Sequence, residues 1–357
     1  MPSQPHPYPT HPSRRGIGTR MDRTAPRAAA LVIASAAALA FMGCASTPRP
    51  DAGEDDPVVQ LSPAEAAAQT YARGEALAQQ GLTDQALAEF ERAILENPEL
   101  TVAYLGAGEI HRQRGDFTRA EQSFARAASL EPRNFDAQYM HALSLQLLNR
   151  LEEAIRAYLR ALSIEPNDFE ANLNVATAYL QLAEPREALV YGLRAVRIDG
   201  NSAAARVNLA AVYAALDEHE MAVTEYQQAA ELMTLTPELL LSLADSLGKV
   251  GRYAEMESTL ERVVQTERSA VALERLGSAR FRLRKYPSAL AAFREAVAVD
   301  PNHYPALNGI AVCRLNDFLW SDRTDLEAHR EAIDTMRQSL RINRDQPKIV
   351  ELLARYK

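Results

Sequence analysis

Apolar and small residues recur along this chain with two nested periods. Within short segments they fall three and four residues apart, the spacing that places them on one face of an α-helix. In residues 101–134, Tyr104, Ala107, Gly108 and His111 stripe one segment, and Ala120, Phe124 and Ala127 stripe the next. Gly115 stands between them, where a left-handed residue can end a helix. Pro132 closes the second segment, because proline lacks an amide hydrogen and clashes with the preceding turn. The second period is longer. Residues 120–134 read AEQSFARAASLEPRN, 154–168 read AIRAYLRALSIEPND and 289–303 read ALAAFREAVAVDPNH. Ala86, Ala120, Ala154, Ala188 and Ala222 stand 34 residues apart. A fixed period of this size marks stacked supersecondary units, none of which can bury its apolar face alone.

The helix pairs are predicted to begin at Ser62. There Ser62-Pro63-Ala64-Glu65 supplies a capping serine, a proline at the first helical position and a glutamate at the third. Numbering each unit from the start of its first helix, position 8 reads Gly74, Gly108, Ala142, Ala176, Ala210, Ala244, Gly277 and Ala311. Position 20 reads Ala86, Ala120, Ala154, Ala188, Ala222, Met256, Ala289 and Ala332. Small residues belong where two helices cross closely, with a large residue at position 24 filling the adjoining groove.

This arrangement resembles the tetratricopeptide repeat family from about residue 67 to 345. The resemblance implies an all-α fold, a right-handed solenoid of about eight helix-turn-helix repeats over residues 62–345. Residues 346–357, QPKIVELLARYK, keep Ile349, Leu352, Leu353 and Tyr356 on one face, as a helix capping the last repeat would. Several departures from the pattern carry expectations of their own. Repeat four has Gly192 in place of the large residue and Gly200 in place of the proline. Repeat six has Met256 and Val263 where small residues belong, so its helices are expected to cross less closely. Repeat eight holds about nine extra residues around NDFLWSDRT, near 313–325, expected between its helices. Ala157 is expected on an exposed face, beside the crossing point at Ala154.

The front of the chain follows a different rule. Residues 28–42, AAALVIASAAALAFM, form an uncharged apolar run preceded by Arg20, Arg23 and Arg27. That is the layout of a secretory signal over residues 1–43, with Met21 as an alternative start. Phe41-Met42-Gly43-Cys44 resembles the lipobox of bacterial lipoproteins, which implies cleavage before Cys44 and lipid on its thiol and new amino group. Ala45 follows, and in a two-membrane bacterium the lipoprotein resemblance implies the outer membrane, facing the periplasm. Residues 44–61 carry prolines and acids without a periodic apolar face, and are expected to serve as a tether.

Charge and chemistry narrow the function. The chain has 357 residues and a formal net charge of −8. Its first 43 residues hold five arginines against one aspartate, which leaves −12 on the remainder. An acidic body without basic clusters points away from nucleic acid. The two cysteines, Cys44 and Cys313, form no disulfide framework, and no zinc-type spacing occurs. No phosphate loop, GxSxG or HExxH is present, so neither catalytic residue, metal nor cofactor is expected. Cys313 reads as a small buried hydrophobe.

The family resemblance implies a concave groove formed by the first helices that holds an extended peptide or partner helix. Along it Glu75, Glu109, Asp136 and Glu170 make an acidic early end, and Lys249, Arg275 and Arg282 a basic late end. Asn174 and Asn208, at position 6 of consecutive repeats, carry amides able to hold a bound backbone. Phe318, Leu319 and Trp320 in the insertion form an alternative partner site. The expected function is therefore a lipid-anchored scaffold for protein partners at the cell envelope, in pilus, secretion or other envelope assembly. The other reading is a carrier or sensor of a small molecule or glycan fragment, for which Tyr71 and Tyr139 are the groove aromatics. Nothing in the sequence sets an oligomeric state.

Overall fold

The computed structural model describes residues 62–357. The expected signal, the tether and Cys44 lie outside the described residues. Within them the chain forms seventeen α-helices and no strand. Repeats one to four are α1 (Pro63–Gln79) with α2 (Thr83–Glu96), α3 (Thr101–Gln113) with α4 (Phe117–Leu130), α5 (Phe135–Leu147) with α6 (Leu151–Ile164), and α7 (Phe169–Gln181) with α8 (Pro185–Ile198). Repeats five to seven are α9 (Ala203–Ala215) with α10 (His219–Leu232), α11 (Pro237–Lys249) with α12 (Tyr253–Thr266), and α13 (Ala270–Arg282) with α14 (Tyr286–Val299). Repeat eight pairs α15 (Tyr304–Trp320) with α16 (Leu326–Ile342), and α17 (Pro347–Tyr356) follows. Each helix packs on its sequence neighbours, which makes the solenoid.

Two kinds of turn alternate, each with its own chemistry. Inside the first seven repeats, the turn between helices contains one residue with positive φ: Gly81, Gly115, Asn149, Ala183, Asp217, Gly251 and Arg284. Glycine takes this conformation without a Cβ penalty, whereas Ala183 and Arg284 hold it against their own side chains. Between repeats, Asn134, Asp168, Ser202, Thr236 and Ser269 cap the next first helix by accepting from its backbone amide three residues on.

The core repeats with the sequence. Ala86, Ala120, Ala154, Ala188, Ala222, Ala289 and Ala332 are fully buried at the helix crossings. Position 8 is glycine wherever position 24 is phenylalanine. A Cβ on Gly74, Gly108 or Gly277 would lie 2.7–2.8 Å from the ring of Phe90, Phe124 or Phe293 respectively. Where position 8 is alanine, position 24 is Tyr158, Gly192, Tyr226, Leu260 or Met336. At Gly192 the space is taken by Leu209 of α9, whose Cδ1 would stand 3.4 Å from an added Cβ. Gly200, in place of the proline, accepts at its carbonyl from Arg206 Nε at 2.8 Å, and Arg206 also pairs with Glu225 at 2.9 Å.

Three details depart from or refine the expectations. Ala157 is fully buried, packed with Tyr158 and Val175 against α7, because a second helix is covered by the following repeat as well as by its own partner. The extra residues of repeat eight are not a loop. Compared with α13 and α14, α15 is four residues longer, α16 three longer, and the intervening turn gains only two. The helical spacing of Phe318 and Leu315 continues the apolar stripe, so the hydrogen-bonded ladder extends rather than breaks. In repeat six, α11 and α12 touch more sparsely than the two helices of any other repeat, in line with Met256 at the crossing.

At the far end, α17 lays Ile349, Leu352, Leu353 and Tyr356 on the cluster formed by Leu315, Phe318, Ala332 and Met336. Gln346 ties this cap to the solenoid by accepting from Asn308 Nδ2 at 2.7 Å and donating to Ser339 Oγ at 2.9 Å. No helix among the described residues is long and apolar enough to cross a membrane.

Candidate partner-binding groove

Helices of like order do not contribute equally to the inner and outer faces. The first helices touch across repeats, with close contacts joining α1 to α3, α5 to α7, α7 to α9, α9 to α11 and α13 to α15. The second helices of successive repeats make no comparable contact. First helices that approach one another while second helices splay place the first helices on the concave side.

The structure divides the expected acidic residues. Asp136 and Glu170 are exposed, and neither they nor Glu75 has a cationic partner among the described residues. Glu75 accepts weakly from the Tyr71 hydroxyl at 3.5 Å. Glu109 is different: Arg112 one turn on donates to both its oxygens, at 2.8 and 2.6 Å, and Gln113 adds a third bond at 2.8 Å. Its charge is balanced within α3. Desolvation, then the nearby Asp168 carboxylate, raises the pKa of Glu170 above its ordinary value.

The late end divides in the same way. Arg275 pairs with Asp245 at 2.8 Å. Lys249 and Arg282 are exposed and have no carboxylate within ion-pair distance among the described residues. The Arg282 guanidinium lies 6.0 Å from the centroid of the Tyr253 ring. These two side chains, with Asp245, Gly248, Tyr253, Met256 and Ser278, surround an open concavity of about 460 Å³.

The asparagines serve the scaffold. Asn174 Nδ2 donates to the Tyr139 hydroxyl at 3.0 Å, and Asn208 Nδ2 to Thr177 Oγ1 at 2.9 Å, each joining one first helix to the next. Asn208 Oδ1 is buried without a partner in the protein. One amide proton of each asparagine is thus engaged in a tie between repeats, and the second, with the Oδ1 acceptor, is left over. Tyr139 is also stacked on Phe135 at 5.7 Å, and desolvation pushes its hydroxyl up to about 12.

The alternative site is split by burial. Phe318 is buried against the His329 ring at 4.5 Å, and Leu319 belongs to the cluster under α17. Trp320 alone faces solvent, 67% exposed, with its ring edge-on to Tyr286 at 4.8 Å. Cys313 is buried at the interface of α13 and α14 with α15, and desolvation raises its thiol to about 12, far from a reactive thiolate. No group of three or more potential metal ligands occurs among the described residues. His141 faces Glu121 at 3.2 Å.

Sequence reasoning overlooked Asp245, Gly248, Tyr253 and Ser278. The available signal was the pairing of Gly248 with Met256, since a Cβ on Gly248 would stand 3.0 Å from the Met256 sulfur. The large residue at position 20 is accommodated by an absent side chain at position 12.

Comparison with known proteins bears on this architecture. The profile of the tetratricopeptide repeat matches residues 71–137, 105–169, 139–203, 241–304 and 274–347, and a second profile of the same repeat matches 203–232. No curated protein matches the chain. Similar solved structures include a tetratricopeptide repeat protein from Parabacteroides merdae, at 18% identity over 70% of this chain and 98% of that one, with a TM-score of 0.48. Another is YrrB, described as a TPR protein with an unusual peptide-binding site, at 18% identity over 56% of this chain and 98% of its own, with a TM-score of 0.47. A third is Pseudomonas aeruginosa pilF, at 19% identity over 57% and 93%, with a TM-score of 0.48. Repeat profiles covering most of the chain, on helix pairs with small residues at each crossing, show that it belongs to the tetratricopeptide repeat family, whose fold is a scaffold for protein–protein interaction.

Proposed function

We propose that this protein is a lipid-anchored scaffold of a bacterial cell envelope that holds an extended protein partner along its concave face. The observation that carries the reading is the charge polarity of that face. In repeats one to four its unpaired charges are the carboxylates Glu75, Asp136 and Glu170. In repeats six and seven the cations Lys249 and Arg282, without carboxylate partners, stand among the unpaired carboxylates Glu238 and Glu274, so the early end is acidic and the late end mixed. A partner with a basic part and an acidic part would be attracted in one orientation and repelled in the other. This role requires neither a catalytic constellation nor a cofactor.

The anchor belongs to the same reading. Cys44 after the apolar run supports lipid attachment, and the segment to residue 61 would hold the repeats off the membrane. The expected site is the outer membrane facing the periplasm in a two-membrane bacterium, in assembly of a pilus, secretion or other envelope complex. The small-ligand reading is less well supported, because the Tyr139 ring and hydroxyl are already engaged by Phe135 and Asn174.

Two measurements test the proposal. The Cys44→Ser protein should lose acyl labelling and move from the membrane to the soluble envelope fraction; unchanged membrane association contradicts the anchor. Capture from solubilised membranes should recover a partner with the intact chain, and much less of it with Glu75, Asp136 and Glu170 all changed to lysine. Equal recovery contradicts the groove. A partner lost only with Trp320→Ala would move the contact to the end of α15, where that ring is exposed.

A further inference from the structure

Two pairs of neighbouring first helices lack the close contact made by the others, α3 with α5 and α11 with α13. Between repeats six and seven, α11 and α13 lack the close contact that joins α9 to α11 and α13 to α15. At the second of these places repeat six departs from the pattern. Met256 stands where the seven other repeats have a fully buried alanine at the crossing with the first helix. Gly248 makes room for its sulfur. Here lies the concavity of about 460 Å³ lined by α11, the first turn of α12 and α13. Its floor is the Met256 thioether, the Gly248 backbone and one face of Tyr253; its rim carries Lys249, Arg282 and the Ser278 hydroxyl.

The charges of the rim do not cancel. Asp245 is the one carboxylate in the lining, and Arg275 holds it at 2.8 Å, so that pair is neutral in sum. Ser278 donates to Glu274 Oε1 at 2.9 Å on its own helix and keeps its oxygen as an acceptor. Glu274 has no cationic partner, so with Lys249 and Arg282 the concavity keeps an excess of one positive charge above an apolar floor. A flexible thioether accepts apolar groups of various shapes, which suits it to hold a side chain rather than to fill space with a fixed one.

We infer that this concavity is a subsite for an acidic segment of a partner protein, seating an apolar side chain on Met256 with an adjoining aspartate or glutamate between Lys249 and Arg282. The inference rests on the groove reading and adds to it the chemistry of the partner's acidic part. A free phosphate would match the cations equally but leaves the apolar floor without a function, and a basic segment is repelled. The occupant is an internal stretch in which acidic and apolar residues adjoin, since the concavity opens along the groove in which an extended chain would run.

The test uses the full chain in detergent, labelled on the methionine methyl groups, with the Met256 signal assigned through Met256→Leu. The probe is an acetylated and amidated heptapeptide of alternating aspartate and leucine; its twin carries asparagine for aspartate. The acidic peptide should shift the Met256 methyl resonance and the twin should not. Lys249→Gln and Arg282→Gln, both at exposed positions, should each weaken binding about tenfold, as for a charge-assisted hydrogen bond discounted for exposure. A silent Met256 signal, an equal response to the twin, or a response only to the peptide with a free carboxyl terminus overturns the inference. Cross-linking of a partner to other inner-face positions, with Met256 silent, removes the subsite and leaves the groove standing. A Met256 response to the acidic peptide with partner cross-links confined to the outer face removes the groove reading instead.

Discussion

Gly277 and Phe293 are a matched pair. A Cβ added at Gly277 would lie 2.7 Å from the Cδ1–Cε1 edge of the ring, and one added at Gly309 of the next repeat would lie 2.5 Å from the same edge. The ring therefore has no direction of retreat along that edge. Gly277→Ala is expected to destabilise the protein by about 1–3 kcal/mol, as overpacking does. Adding Phe293→Leu to it should recover part of that loss, although Phe293→Leu alone costs stability. Urea denaturation of the two single variants and the double checks this; strict additivity contradicts the pairing. Gly192→Ala, where the nearest atom is 3.4 Å away, should instead stabilise by up to about 1 kcal/mol, the helix-propensity gain of alanine over glycine.

The turns give a second contrast. Ala183 holds φ at 58° where repeats one, two and six have glycine. Ala183→Gly should stabilise by about 0.5–1 kcal/mol, the relieved left-handed strain less the added freedom of the unfolded chain. Gly115→Ala should act in the opposite sense. Thermal melts that show both substitutions destabilising would contradict this account of the turn.

Helix crossings provide a third. Ala154→Leu forces a large side chain into a fully buried crossing and should cost about 1–3 kcal/mol. Ala157 is no surface control, being equally buried. Arg156, exposed between them, is the proper one, and Arg156→Leu should stay within about 0.5 kcal/mol of the parent. Equal losses in the two variants would contradict the assignment of Ala154 to the crossing.

Acid should weaken the fold through two imidazoles. Desolvation lowers the pKa of His111 and of His141 below the ordinary 6.5, outweighing the Asp116 and Glu121 carboxylates that pull the other way. The unfolded chain then binds protons first, so the two groups favour the native state above 6.5 and this contribution is lost as pH falls below that value. The denaturation midpoint should drop between about pH 7.5 and about pH 5.5, and should change less in a variant with glutamine at both positions. A midpoint that rises on acidification, or an undiminished slope in the variant, contradicts the assignment.

What the sequence made legible was set by local geometry. Gly74, Gly108 and Ala154 recur because each repeat meets the same crossing, and Gly115 and Pro132 mark helix ends by backbone chemistry alone. The cap at Ile349 and Tyr356 was readable for the same reason. The groove was less so, because charge in a sequence does not disclose its partner. Glu109 and Arg112, three apart on α3, neutralise each other, and Arg275 reaches across to Asp245 on a different repeat. Asn208 also ties repeats together, since Thr177 on the preceding first helix accepts one of its amide protons, a contact the sequence does not disclose. The residues of repeat eight looked like a loop because they break the period, although their apolar spacing allowed the helices to lengthen.

The central claim, that a partner lies along the inner face, is tested most directly by site-specific photo-cross-linking in cells. A benzoylphenylalanine would replace Asp136 or Arg282 on the inner face, and Arg126 or Arg262 on the outer helices, all four being exposed. Cross-links to one and the same protein from both inner positions, and none from the outer ones, are the predicted result. Adducts confined to Arg126 and Arg262 would contradict it.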